Sequence, residues 1–344
     1  MQLVVDTQGA KVRKDGERVI IHREGCADES APINVLEQVV LIGRGVSVST
    51  PLLYDLAQRG IDVVYQSRHG RLGFRLVGPA GKHSALRVRQ VQVCTAPESA
   101  LPIAQAMIAG KLHNQAVVLR RQTPMDVAAD ATETGSVDAA VQTLRTQMQQ
   151  AAHAPNAETL RGYEGSGAAA YFAVWARLFD ARAWSFRGRA YYPPPDPVNA
   201  LLSLGYTLLL HDVASALYRI GLDPDIGVLH TLDYGRPSLA LDLEEEFRPV
   251  VVDTLVLRLI RERFLEPGDF RTPPEQADRR SGVWLTDDAR RFFITQYAAR
   301  LAVRVQHPAW QQQLTYRQCI QRQAEHLARC ILGRDAAYTP LLIR

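Results

Sequence analysis

Lysine is scarce in this chain of 344 residues: only four of its 40 basic residues are Lys, so the other 36 are Arg. The formal net charge is +4 at pH 7, which excludes an indiscriminate polycation and confines any nucleic-acid surface to a local patch. Arginine binds phosphate oxygens through a bidentate fork, so the excess is consistent with a nucleic-acid partner. A GC-rich genome would produce the same excess, and composition alone leaves both explanations open.

Cysteine and long apolar runs are scarce as well. The four cysteines have no C-x-x-C spacing, which argues against a zinc site and favours a reducing compartment. No apolar run approaches the ~20 residues that span a bilayer, and the N-terminus lacks the basic and apolar regions of a signal peptide. We therefore expect a soluble, cytoplasmic protein without a membrane partner, whose 47% of apolar residues can form a sizeable core.

The periodicity of the chain changes near residue 92. Before it, short β-branched runs alternate with Gly and charged turns, including an Asp15-Gly16 hairpin signal, and one helix begins near Ser49 and ends at Gly60. Beyond it, helical period predicts helices at 104–121, 138–152, 157–180, 196–221, 238–264 (broken or kinked at Pro249), 286–305 and 314–332, with loops at 122–140 and 266–281. The predicted fold class is α+β, with an N-terminal β-sandwich-like domain (1–92) followed by a larger all-α catalytic domain (93–344).

An acidic cluster follows a histidine in the last third of the chain. His230 precedes Asp242, Glu244, Glu245 and Glu246, and the spacing of Asp242 and Glu245 places them on one face of a helix. Carboxylates with one imidazole suit Mg²⁺ or Mn²⁺, and such a metal supports chemistry on phosphate esters. Taken by itself, the same run is also typical of a solvated acidic face.

A carboxylate surrounded by glycines lies upstream. Glu164 stands among Gly162, Gly165 and Gly167 inside a helical pattern, where each glycine costs ~1 kcal/mol relative to alanine. Close approach of a neighbouring helix or a ligand to the backbone would explain that cost. A helix crossing with an incidental surface Glu is the alternative.

Three stretches together resemble a known family. They are Gly-Tyr-Glu-Gly at 162–165 with Tyr171-Phe172, Pro-Asp-Pro-Val-Asn-Ala at 195–200, and Leu-His at 229–230 followed by Gly-Arg-Pro-Ser-Leu-Ala-Leu-Asp-Leu-Glu-Glu-Glu-Phe-Arg-Pro at 235–249. The chain resembles, over its whole length, the CRISPR-associated integrase family, protein one of the CRISPR adaptation module. The stretch at 110–115 also resembles the start of that family's helical domain.

The resemblance implies a divalent metal site, for Mg²⁺ or Mn²⁺, made of Glu164, His230 and Glu245, which would be both the ligands and the catalytic residues. Some relatives carry Asp where this chain has Glu245. Asp242 would be a supporting acid and Arg248 a basic residue near the DNA. Glu244 and Glu246 are expected to be solvated, and no other cofactor is expected.

The resemblance also implies an activity and partners. The expected reaction joins the 3′-hydroxyl ends of spacer DNA to the CRISPR array by transesterification. The expected partners are double-stranded DNA, a second copy of the chain through the N-terminal domain, and CRISPR-associated protein two. Two rivals remain open at this point: a structure-selective, metal-dependent DNA endonuclease of repair, and a non-enzymatic DNA-binding scaffold.

Overall fold

The computed structural model divides the chain into two compact units, Met1–Ser84 and Ala85–Arg344. The sequence predicted a boundary at residue 92, and the division falls inside the helix that begins the larger unit. The structure describes residues 2–43, 45–67, 72–76, 78, 83–123, 136–180, 182–190, 193–230, 233–272 and 282–344. The predicted loops were 122–140 and 266–281. The larger part of each, residues 124–135 and 273–281, lies outside the described residues.

The first unit contains two four-stranded sheets. Its elements are β1 (Gln2–Val5), β2 (Lys11–Asp15), β3 (Arg18–His22), β4 (Glu29–Pro32), β5 (Gln38–Ile42), β6 (Ser47–Val48), α1 (Thr50–Gln58), β7 (Asp62–Gln66) and β8 (Leu72–Leu76). One sheet has the order β1-β5-β7-β8 and the other has the order β4-β3-β2-β6. In the first sheet β1, β5 and β7 are parallel, and β8 is antiparallel to β7.

Both sheets of this unit bury side chains in one apolar core. Val39 and Val63 come from the first sheet, Val12 and Val19 come from the second, and Leu52 of α1 joins them. Residues alternate between buried and exposed along β3, whereas β5 is buried throughout, and the two sheets form layers that share this core. The predicted β-sandwich-like domain is confirmed as part of an α+β fold.

Local signals set two of the turns as the sequence predicted. Asp15 pairs with Arg18 across the β2–β3 hairpin, and Gly16 has a positive φ of 53°, which glycine adopts without a steric penalty. Ser49 is the residue before α1, but its side chain makes no capping hydrogen bond. Gly60, with a φ of 67°, follows the end of α1.

The second unit is mainly helical. Its elements are α2 (Ser84–Thr95), α3 (Pro97–Gln122), α4 (Val137–Ala151), α5 (Ala157–Ala173), α6 (Pro197–Ile220), α7 (Ser238–Glu244), α8 (Thr254–Arg261), β9 (Phe270–Arg271), β10 (Trp284–Leu285), α9 (Asp287–Leu301), β11 (Arg304–His307), β12 (Gln312–Thr315) and α10 (Tyr316–Ile331). The sequence predicted the helices from α3 onward, but it did not predict α2, which falls in the part expected to be β-rich, or the short strands β9 to β12.

The predicted break at Pro249 is confirmed. Between α7 and α8 the backbone forms a π-helical turn over Arg248–Asp253, in which the Thr254 amide donates to the Pro249 carbonyl. Proline has no amide hydrogen and disrupts regular helix pairing, and π-turns are frequent at functional sites.

One described helix, α6, is long and apolar enough by composition to cross a membrane. Its most apolar window is 72% buried inside the protein, as in a core helix. Asp196 caps its start by accepting a hydrogen bond from the Asn199 amide at 2.9 Å, and Gly221 ends it with a φ of 92°.

Candidate active site

Glu164 projects from the middle of α5. The helix begins at a side-chain cap, where Asn156 accepts a hydrogen bond from the Thr159 amide at 2.9 Å. It packs closely on α3 at Gly167, where a Cβ atom would overlap Leu112. This glycine therefore allows the close helix approach that the sequence predicted.

The other two glycines around Glu164 have a different environment. A Cβ atom at Gly162 or Gly165 would meet nothing within 4 Å, so no described helix approaches these two positions, and the alternative of a ligand there stays a prediction. The Glu164 side chain is 18% exposed. Glycines on its open side leave the backbone accessible to a ligand beside the carboxylate.

Lys111 of α3 forms ion pairs with two of the predicted metal ligands, Glu164 and Glu245. Its Nζ lies 2.5 Å from Oε1 of Glu164 and 2.6 Å from Oε2 of Glu245. Burial alone would lower the pKa of Lys111, but the charges of Glu164 and Glu245 outweigh burial and raise it. Burial alone would likewise raise the pKa of Glu245, but Arg248 and Lys111 lower it to about 2. Two carboxylates distant in sequence thus share one cationic group.

Arg248 neutralises the other side of the acidic run. It donates to carboxylate oxygens of both Glu244 and Glu245, and its guanidinium lies 4.9 Å from the ring centroid of Tyr206. Burial raises the pKa of Glu244 to about 7, against the charge of Arg248. The Oε2 atom of Glu244 is buried and has no hydrogen-bond partner within the described part of the chain.

The expectation that Glu244 and Glu246 are solvated is wrong. They are 1% and 0% exposed, because the acidic run is enclosed by the rest of the helical unit. Glu246 accepts hydrogen bonds from Tyr338 Oη at 2.7 Å, from the Leu341 amide at 2.7 Å and from Gln323 Nε2 at 3.1 Å. Burial raises its pKa to about 7, against these hydrogen bonds.

Asp242 fixes the orientation of His230. One oxygen, Oδ1, lies 2.6 Å from His230 Nδ1 and accepts the His230 amide at 3.0 Å. The other, Oδ2, accepts the amides of Val228 and Leu229 at 2.6 and 3.0 Å. A carboxylate that is hydrogen-bonded to Nδ1 leaves Nε2 to bind another group. Metal-binding histidines commonly have this arrangement. No described residue binds Nε2.

A second contact ties the His230 loop to α5. Arg161, one turn before Glu164, donates from Nη1 to the Leu229 carbonyl at 2.9 Å. The Arg161 side chain therefore links α5, which carries Glu164, to Leu229, the residue before His230.

Two of the three predicted ligands, Glu164 and Glu245, lie at one lysine, and the described residues do not bring all three together as a closed ligand set. Glu164 and Glu245 meet at Lys111, and His230 is tied to the helix of the acidic run through Asp242. In the described segments, the group of three potential ligands whose atoms all lie within 4.8 Å is a different one: His326, Cys330 and Asp335.

That second group is already hydrogen-bonded. His326 Nδ1 lies 2.9 Å from Asp335, and its Nε2 accepts the Thr339 amide at 3.0 Å. Burial raises the pKa of Cys330 to about 11, so its thiol is protonated at neutral pH and is a poor ligand. These contacts account for the group without a metal.

Lys111 had no role assigned from the sequence. A signal for it was present: lysine is rare in this chain, and a charged residue inside an apolar helix needs a partner. The partners of Glu246 carried no such signal, because they lie in the last part of the chain.

The fold and these contacts define a two-unit α+β protein in which two carboxylates share one buried lysine and a nearby carboxylate orients a histidine. The family model described as CRISPR associated protein Cas1 matches residues 3–299. The protein named CRISPR-associated endonuclease Cas1 2 of Rhodospirillum rubrum is 39% identical over 341 residues, which cover 98% of this chain and 96% of that protein. The chain therefore belongs to the Cas1 family.

Other relatives agree with this assignment. A protein of Geobacter sulfurreducens named as a Cas4 exonuclease/Cas1 endonuclease fusion is 32% identical and is covered over 60% of its length, whereas this chain is covered completely. The solved structure of TM1797, a CAS1 protein from Thermotoga maritima, has a TM-score of 0.79 at 22% identity and covers 97% of this chain and 98% of that one. A casposase bound to its integration product also has a TM-score of 0.79, at 19% identity, covering 98% and 92% of the two chains. At these identities the two structures show a shared fold.

Proposed function

We propose that this chain is a metal-dependent DNA integrase that joins the 3′-hydroxyl ends of short DNA fragments to a CRISPR array. The observation that carries the proposal is the meeting of Glu164 and Glu245 at one cation, Lys111 Nζ, beside a histidine whose Nε2 is open among the described residues. Relatives named as Cas1 endonucleases and a casposase fold neighbour with an integration product support the same reaction class.

The donor set fits Mg²⁺ or Mn²⁺. Glu164 and Glu245 would supply oxygen ligands and His230 would supply Nε2, a combination that these ions accept. The two carboxylates already face a cationic group, the Lys111 ammonium, and this supports a cation site at the same point. A divalent ion bound there would act as a Lewis acid toward the target phosphodiester.

The surrounding residues prepare the site for that role. Asp242 holds the His230 ring by Nδ1, and Arg161 holds the adjacent backbone, so the imidazole is oriented in advance. Arg248 offsets the charge of the acidic run. Gly162 and Gly165 face open space near the partly exposed Glu164, which supports access of a DNA strand to that carboxylate.

The proposed assembly follows the relatives. A neighbour of the same fold is described as a Cas6-RT-Cas1–Cas2 complex, and we propose double-stranded DNA and CRISPR-associated protein two as partners. We also propose that the chain forms a homodimer through its N-terminal unit. An endonuclease with water as the nucleophile would use the same residues, so the nucleophile decides between the two activities.

A joining assay tests the proposal. A labelled fragment with a free 3′-hydroxyl is incubated with supercoiled plasmid carrying a CRISPR repeat array, Mn²⁺ and the companion protein. The wild type should give joined product, and Glu164→Ala, His230→Ala and Glu245→Ala should abolish joining while they retain DNA binding. The control is Glu158→Ala, an exposed acid at the start of the same helix as Glu164.

The outcomes separate the rivals. Nicking without joined product would favour the endonuclease. Joining by all three site variants would overturn the site, and DNA binding by the wild type with neither nicking nor joining would favour the scaffold.

A further inference from the structure

A cavity of about 620 Å³ lies in the helical unit away from the carboxylate site. The end of α3, the π-turn, α8, the end of α9 and the start of α10 surround it. Four arginines line it together with one carboxylate, that of Glu262, all within the described segments: Arg121, Arg258, Arg261 and Arg300. Its volume falls in the range of ligand pockets, about 300–1,000 Å³.

Main-chain oxygens orient three of these guanidinium groups. Arg300 donates to the Val250 carbonyl, Arg121 donates to the main-chain oxygen of Arg344, and Arg261 donates to the main chain at the end of α3 at 2.8 Å. These contacts hold the forks in place, and the remaining N–H groups of each fork are available to a ligand.

The side-chain charge of the cavity is unbalanced. Glu262 is engaged by Arg258, with Nε and Oε2 3.1 Å apart. Burial lowers the pKa of Arg300, and the charges of Arg258 and Arg121 lower it further, against the effect of Tyr316. Like charges near an open cavity repel one another unless an anion enters.

We propose that this cavity binds a phosphate group, either free or in the backbone of a nucleic-acid strand. Planar guanidinium forks match phosphate oxygens bidentately, which a single lysine does not. Arg121 and Lys111 are both on α3, about 15 Å apart along the axis at 1.5 Å per residue. The phosphate site is therefore separate from the carboxylate site, and it takes an anion where the carboxylate site takes a cation.

Titration calorimetry without divalent metal tests this site. The probes are inorganic pyrophosphate and a short single-stranded oligonucleotide, at fixed ionic strength, on the full chain. The variant is Arg258→Gln with Arg261→Gln, two exposed positions whose change should leave the fold intact. The control is Arg145→Gln with Arg304→Gln, which removes the same charge from exposed positions outside the cavity.

We expect the cavity variant to weaken binding of at least one probe about tenfold for each fork lost, and the control to leave it nearly unchanged. Loss for pyrophosphate identifies free phosphate as sufficient, and loss for the oligonucleotide alone identifies the strand backbone. Equal weakening by both double variants, or no binding of either probe by the wild type, would overturn the site. DNA joining, measured separately, reports on the integrase proposal, so either idea can fail alone.

Discussion

Replacing Lys111 with methionine should destabilise the protein in the absence of metal and much less in its presence. Lys111→Met keeps an unbranched side chain up to the ε position but removes the ammonium between Glu164 and Glu245. Lys111 is 6% exposed and Glu245 is 1% exposed, so two carboxylates would face one another with little solvent. Removing one partner of a buried ion pair costs about 3–5 kcal/mol, and Arg248 still neutralises Glu245, which favours the lower end.

That loss converts into a measurable melting shift. About 3 kcal/mol corresponds to a fall in Tm of about 6–12 °C for a large unit. Mn²⁺ at a hundred times its Kd would restore about 2.7 kcal/mol, because the ion takes the place of the missing ammonium. In the wild type the ion must displace Lys111 from the two carboxylates or share them with it. Mn²⁺ should therefore raise the Tm of the variant more than that of the wild type.

Thermal melts in EDTA and in Mn²⁺ provide the measurement. Lys14→Met is the control, since Lys14 pairs with Asp55 at 3.0 Å near the surface, where ion pairs contribute little. If Lys111→Met melted at the wild-type temperature in EDTA, or if Mn²⁺ gave both proteins the same shift, the role of Lys111 as the internal cation of the site would be refuted.

Three other variants test the surroundings of the site. Asp242→Asn should weaken Mn²⁺ affinity by about 10–100-fold in calorimetry, because the ring of His230 loses its orienting carboxylate; unchanged affinity would contradict this. Tyr338→Phe should lower the free energy of unfolding in urea by about 1–3 kcal/mol, since buried Glu246 loses a donor; an unchanged midpoint would show that the contact is dispensable. Burial raises the pKa of Asp253 to about 7, against its tyrosine hydrogen bonds, so its folded form holds an extra proton between pH ~4 and ~7, and its contribution to stability falls as pH rises through that window. From pH 5 to pH 8, the free energy of unfolding of Asp253→Asn, measured in urea, should therefore rise relative to that of the wild type by up to about 3 kcal/mol. A difference between the two proteins that does not change with pH would contradict the raised pKa.

Much of the fold follows from local signals in the sequence. Pro249 predicted the break between α7 and α8, Gly221 predicted the end of α6, and Asp15-Gly16 predicted a hairpin. Each acts through its own backbone, so neighbouring residues suffice. The β11–β12 hairpin was missed because its strands are polar and lack the alternation that marks a half-buried strand.

The sequence supplied candidate ligands, which stay predictions, but not the contacts between them. The resemblance pointed to Glu164, His230 and Glu245, and helix spacing placed Asp242 near Glu245. Periodicity carries no information on pairs far apart in sequence, so the bridge from Lys111 to both carboxylates became visible only in three dimensions.

The burial of Glu246 illustrates the same limit. A run of three glutamates is typical of a solvated face, and only the packing of Gln323 and Tyr338 against it turns the run inward. The glycines around Glu164 show the limit from the other side: a packed helix explains Gly167, whereas Gly162 and Gly165 face open space, and sequence alone did not separate the two cases.

Anomalous diffraction at the manganese edge, from crystals soaked in Mn²⁺, tests the central claim most directly. We expect an anomalous peak within bonding distance of Glu164, Glu245 and His230 Nε2, with the Lys111 ammonium moved away from at least one carboxylate. A peak at His326, Cys330 and Asp335 without one at Glu164, or no peak at either place under conditions that support DNA joining, would contradict the account.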